Sequence, residues 1–175
     1  MESGVVVDFG SGLVRPMSGL LPESELVCAG GLDVYALVDG LETLFGRAEI
    51  GSMVVCIGDV GSCGVGELDE RGWADIIEHL RGVYGTVLSF MQELAFGRRK
   101  GRLVVVLERH RVGVGNRVMR EGVLGMVRSL AKEFGRQGTI CNVVVCEPGS
   151  MQGVEATRFL LSVGASFVNG DRWEV

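Results

Sequence analysis

The densest group of side chains able to handle charge is Glu108, Arg109, His110 and Arg111, which follow the apolar run at 103–107. A carboxylate, two guanidinium groups and an imidazole at a strand end could bind an anion or move a proton. Their spacing pairs no nucleophile with a base, and the simpler expectation is a solvated charged loop. Glu147, just before Pro148, is expected to shape a strand end. The five cysteines, at 28, 56, 63, 141 and 146, form no Cys-x-x-Cys pair. His79 and His110 lie apart from them, so no metal site is expected. Four of the thiols sit in or beside apolar runs, where buried, unpaired thiols are the expectation. A second basic group, Arg98, Arg99, Lys100 and Arg102, is read as a solvated loop between a helix and a strand rather than a phosphate site.

These residues must be carried by a chain of 175 residues, 47% hydrophobic and 22% charged, which suits one compact domain spanning 1–175. No stretch approaches the roughly 20 apolar residues of a membrane helix. A net charge of −5 argues against a nucleic-acid partner. The opening MESGVVVDFG has neither a basic segment nor a long apolar one, so no secretory leader is expected and a cytoplasmic or organelle-matrix setting follows.

Short β-branched runs alternate with longer stretches of helical period, the pattern of a parallel sheet covered by helices. Strands are predicted at 5–7, 26–28, 53–57, 103–107 and 140–146, with a tail strand near Phe167. The Gly-, Pro- and Ser-rich segment between the first two reads as loop. Helices are predicted from Asp33, a plausible N-cap, to a stop at Gly46; over 73–94 despite Gly82 and Gly85; over 119–134; and around 155–162. The fold class is α/β: a Rossmann-like three-layer sandwich with a mostly parallel sheet, reduced in its N-terminal half.

Several of these segments, from about residue 33 onward, resemble the short-chain dehydrogenase/reductase family, closest to its 3-oxoacyl-[acyl-carrier-protein] reductases. DVYALVDGLETLFGRAEI resembles the helix and turn before that family's fourth strand. GELDERGWADIIEHLRGVYG is similar to its interface helix, and KGRLVVVL to its fifth strand. EGVLGMVRSLAKEFGRQGTICNVVV with EPG resembles the segment after its catalytic tyrosine and lysine, and FLLSVGASFVNG its closing helix and strand.

The resemblance implies where chemistry would sit. The family's tyrosine and lysine fall on Asn116 and Arg120, its serine on Glu108, and its helix asparagine on His79. An asparagine amide has no labile proton near neutral pH, and Arg120 could hold a phosphate or ribose but has no phenol to tune. The family's glycine-rich phosphate turn has only VVVDFGSGL as a counterpart, leaving Gly10 and Gly12 as candidates beside Gly58 and Arg120. The stretch before Asp33 is too short for that family's full nucleotide-binding half. The turn after its fourth strand would read Val55, Cys56, Ile57 and Gly58. The substrate lid after the Pro-Gly is missing, and with it the exclusion of water.

With proton donor, orienting serine, phosphate turn and lid all changed, the reading is a degenerate relative: a noncatalytic structural or regulatory subunit that needs no cofactor. It would assemble with itself, a related reductase or a larger complex through the helices at 73–94 and 119–134. One alternative is an NAD- or NADP-dependent oxidoreductase with a noncanonical site. Another is a small-ligand binding module beside Gly58, Glu108 and Arg120.

Overall fold

A computed structural model describes residues 3–11, 17, 25–28, 40–41, 43–44, 50–60, 68–109 and 113–175. Six strands form one sheet: β1 (Ser3–Phe9), β2 (Glu25–Cys28), β3 (Ile50–Ile57), β4 (Arg102–Glu108), β5 (Ile140–Cys146) and β6 (Arg172–Glu174). Their order is β2-β1-β3-β4-β5-β6, and every neighbouring pair is parallel. The expected parallel sheet is present, with no antiparallel edge among the described strands. β1 and β2 both fit within the first 28 residues.

Among the described residues, three full helices cross between strands: α1 (Glu70–Phe96), α2 (Val114–Phe134) and α3 (Met151–Leu161). The Asp69 carboxylate starts α1 by accepting from the Gly72 N–H at 2.8 Å, and Ser150 does the same for α3 through Gly153 at 3.4 Å. α2 has no side-chain cap and begins at Gly113, whose φ of 116° suits glycine. It starts well before residue 119, so Asn116 lies on its first turn. α3 likewise starts earlier than 155, because Ser150 supplies a cap directly after Pro148-Gly149. Gly40, Leu41, Thr43 and Leu44 are helical. The rest of the helix expected from Asp33 to Gly46 lies outside the described residues, as does most of the segment between β1 and β2 that reads as loop; within it Met17 is helical and fully buried, against that expectation.

Strand alternation divides the core into two layers. Val5, Val7, Met53, Val55, Leu103, Val105, Val143 and Val145 pack with Val83, Val87, Phe90 and Met91 of α1 and Val123 and Val127 of α2. Val6, Val54, Val104, Val106 and Val144 turn to the other face, against Val154 and Leu160 of α3 and Ala165. Buried on both faces, these strands have apolar middles, which is why they read as continuous runs; Asp8, Ser52 and Asn142 are the buried polar exceptions among the described strand residues.

The tail strand is β6 at Arg172–Glu174, not near Phe167. Phe167 follows a short 3₁₀ turn at Val163–Ala165 and is 81% exposed. Its aromatic character gave a β signal, but the register is set by backbone and amide pairing. The Val143 N–H donates to Asp171 O, and the Asn142 carboxamide ties Val168 O and Asp171 N.

Candidate functional site

In an open parallel sheet, ligands sit beyond the carboxyl ends of the strands, at the point where strand order changes direction. Here β2 lies on one side of β1 and β3 on the other, so that point is between β1 and β3. The two ends nearly touch. The Gly58 N–H donates to Phe9 O at 3.2 Å, and a Cβ at Gly58 would run into the Gly10 carbonyl. Gly10 has φ of 75°, a left-handed conformation that glycine adopts freely, and a side chain there would meet nothing within 4 Å. Among the described residues, bare backbone thus faces open space at the end of β1.

Asp8 organises this turn. Its carboxylate accepts from the Ser11 N–H at 2.8 Å and from the Ser11 hydroxyl at 2.6 Å, and it is only 8% exposed. The resulting Asx-type turn holds Gly10 and Ser11. It also occupies the Ser11 N–H, a donor that could otherwise meet an anion. Gly12 lies outside the described residues. Cys56, on β3, is buried beside Asp8, and burial followed by the Asp8 charge pushes its thiol far above the ordinary thiol range. A neutral, buried thiol is neither a nucleophile nor a ligand. Val55 to Ile57 are the last residues of β3 rather than a turn, and Gly58 alone leaves the strand.

Asn116 joins α2 to the loop after β3. Its side-chain oxygen accepts from the Val60 N–H at 3.0 Å, and its amide nitrogen donates to the Asp59 carboxylate at 2.8 Å. Gly115 brings the backbone close to Ile76 and Val60 O. The position matched to the family's tyrosine is therefore a clamp between two elements. His79, half-buried on α1, faces the ring of Phe9 at the end of β1, with ring centroids 6.4 Å apart and tilted by 56°.

Glu108 ends β4, and its carboxylate accepts from the Gly149 N–H at 3.4 Å. Arg109 is held by its backbone N–H on Cys146 O at 2.6 Å and reaches Glu174 at 3.2 Å and Glu147 at 3.9 Å. Arg172 also pairs with Glu174. The expected solvated loop is thus tied down at Glu108 and Arg109; His110 and Arg111 lie outside the described residues. Burial, then the neighbouring Glu108 charge, pushes the Cys146 thiol up to about 11, with Arg109 opposing. Burial alone raises Cys141 to about 12. The thiols of Cys56, Cys141 and Cys146 are free and buried, as expected.

The structure thus sets His79, Glu108 and Asn116 around the carboxyl ends of β1, β3 and β4. Arg120 is one turn further along α2, where it pairs with the adjacent Glu121 at 3.3 Å. Residue types alone did not point to Asp8, Ser11 or Asp59. The Asp-x-Gly-Ser order at 8–11 is a turn signal that could have found the first two. Among the described residues, no cluster of His, Cys, Asp and Glu could hold a metal, and no helix is long and apolar enough to cross a membrane.

These features define a doubly wound, Rossmann-like fold whose strand order reverses between β1 and β3, the place where such folds open a crevice for a ligand. The fold is shared with solved oxidoreductases of the short-chain dehydrogenase/reductase family. A protein from Beutenbergia cavernae, assigned as an NAD(P)-dependent gluconate 5-dehydrogenase and crystallised with NADP at low occupancy, superposes with a TM-score of 0.84 at 16% identity. The match covers 99% of this chain and 95% of that one. An oxidoreductase of the same family from Burkholderia thailandensis gives 0.76 at 17% identity, covering 100% and 91%. A chain from Burkholderia xenovorans assigned to the family gives 0.80 at 15%, covering 99% and 95%. No family model matches the sequence, and no curated protein matches it.

Proposed function

We propose that this chain is an NAD(P)-binding oxidoreductase of the short-chain dehydrogenase/reductase type, working with a site unlike that of its structural relatives. The observation that carries the reading is the switch of strand order between β1 and β3, in a fold that superposes on a structure holding NADP. This reading departs from the expectation that no cofactor is needed. Gly10 would admit the dinucleotide because its bare backbone faces open space, and the Asp8 carboxylate would accept from a ribose hydroxyl. The fit is weaker for the pyrophosphate, since the Ser11 N–H is already bonded to Asp8. When bound, the nicotinamide supplies or takes the hydride.

Proton exchange must come from the chain. Asn116 and Arg120 have no proton to give near neutral pH. Imidazole is the ordinary side chain suited to that exchange, and His79 brings one to the end of β1. Titration with NADPH, followed by fluorescence and thermal shift, tests the reading. Saturable binding with a raised melting temperature is the expected result; no response at millimolar cofactor refutes it.

A second reading, a noncatalytic subunit, is favoured by the clamp at Asn116 and by one face of α1. Trp73, Ile77 and Tyr84 are 40%, 47% and 51% exposed, spaced along a stripe that the sheet does not cover. Leu80 and Tyr84 with Gly122, Val123 and Met126 line an apolar groove beside α2. A second copy of this chain would bury that stripe. A dimeric protein that turns over no carbonyl substrate, with or without NADPH bound, would select this reading over the first.

A further inference from the structure

At the opposite end of the sheet, the amino ends of β4 and β5 frame a cavity of about 470 Å³. That volume falls in the range of small-molecule sites. Lys100, Arg102, Gly138, Thr139, Ser166 and Asn169 are among its lining residues, which include two cations and no carboxylate. Arg102 is the first residue of β4, and alternation turns it to the face of Val104 and Val106, where α3 and its following turn pack. It is half-buried and lines the cavity, while its Nη1 is enclosed by protein and has no hydrogen-bond partner among the described residues. The expectation of a solvated loop fails at this residue.

A guanidinium is always charged, so the part of Arg102 that lines the cavity presents a cation to it. Neighbouring Arg99 shows the contrast, since Glu93 pairs with it at 3.3 Å. Neither Lys100 nor Arg102 is paired with a carboxylate among the described residues. The lysine stem lies across Gly138, where a Cβ would come within 3.0 Å of its Cγ and Cδ and where φ is 87°. That turn is kept clear for the lysine. Asn169 fixes the facing wall: its oxygen accepts from the Cys141 N–H at 2.9 Å, and its nitrogen donates to Ala131 O at 3.2 Å.

We propose that this cavity binds the phosphate group of a small phosphorylated metabolite, with Arg102 and Lys100 as the charged contacts and the Thr139 and Ser166 hydroxyls beside them. Two cations and two hydroxyls match a tetrahedral dianion with several acceptor oxygens. The volume exceeds that of a bare phosphate ion and leaves room for a carbon skeleton.

Calorimetry on the full chain at fixed ionic strength, with glucose 6-phosphate, glucose and glucuronate as probes, tests the assignment. Saturable binding is expected for the phosphate ester alone. It should weaken at least about tenfold in both Arg102→Gln and Lys100→Ala, as loss of one charge-assisted contact implies. Lys100 is exposed, so its variant carries the test should Arg102→Gln fail to fold. Saturating NADPH should leave the sugar phosphate bound, because the crevice lies at the other end of the strands. Glucose or glucuronate binding as tightly as the ester would overturn the ligand class. Undiminished binding in Lys100→Ala, or displacement by NADPH, would overturn the location.

Discussion

Gly58→Ala tests whether the junction of β1 and β3 is built as described. The added Cβ would meet the Gly10 carbonyl oxygen and carbon, with the Ser11 Cα behind them. These are backbone atoms of a paired strand and a held turn, so they cannot swing aside as the tip of a flexible side chain could. Relief requires the carboxyl ends of the strands to part, which strains packing by about 1–3 kcal/mol. It also lengthens or breaks the Gly58 N–H to Phe9 O bond, worth about 1 kcal/mol. Together the loss should be about 2–4 kcal/mol. Gly125→Ala is the control, because a Cβ there meets nothing within 4 Å and alanine favours a helix by up to about 1 kcal/mol. Urea unfolding should move the two midpoints in opposite directions with unchanged slopes. A Gly58→Ala protein within about 0.5 kcal/mol of the parent would refute the close approach, and with it the placement of the crevice floor.

The buried thiols predict a loss of stability at high pH. Their folded values lie above the ordinary 9.0, so the folded state holds protons that the unfolded chain releases first. Stability is then fully present below pH 9 and falls as pH climbs through the folded values of about 11 and 12, by about 1.4 kcal/mol per pH unit for each thiol. Urea midpoints measured from pH 8 upward check this, and a flat profile contradicts it. In native protein at pH 8, Cys56, Cys141 and Cys146 should resist a thiol reagent that labels them on unfolding; rapid labelling without denaturant would disprove their burial. If the α1 stripe is covered by a second copy, Ile77→Glu with Tyr84→Asp should convert a dimer to a soluble, folded monomer in sedimentation. An already monomeric parent would remove that reading.

The sheet was legible because a strand buried on both faces keeps few polar positions to interrupt it, and runs such as 103–107 admit little else. The helices read well for the related reason that their apolar stripes pack on that sheet. What failed was the edge. Phe167 looked like a strand residue, but the last pairing is made by backbone and amide groups around Asn142, which leave no hydrophobic period. Helix starts were misplaced where caps decide them, as Ser150 does for α3.

The site was legible in position and not in role, and the cause is geometric. Asn116 can be counted onto the family's tyrosine position, yet spacing could not show that its amide donates to Asp59 while accepting from Val60. Both bonds depend on a loop 56 and 57 residues earlier in the chain. Arg102 shows the same limit in reverse. A run of four basic residues within five positions reads as a solvated surface, and only the pairing of Arg99 with Glu93, beside an Arg102 that lines the cavity with no carboxylate partner among the described residues, separates a neutralised charge from one open to an anion.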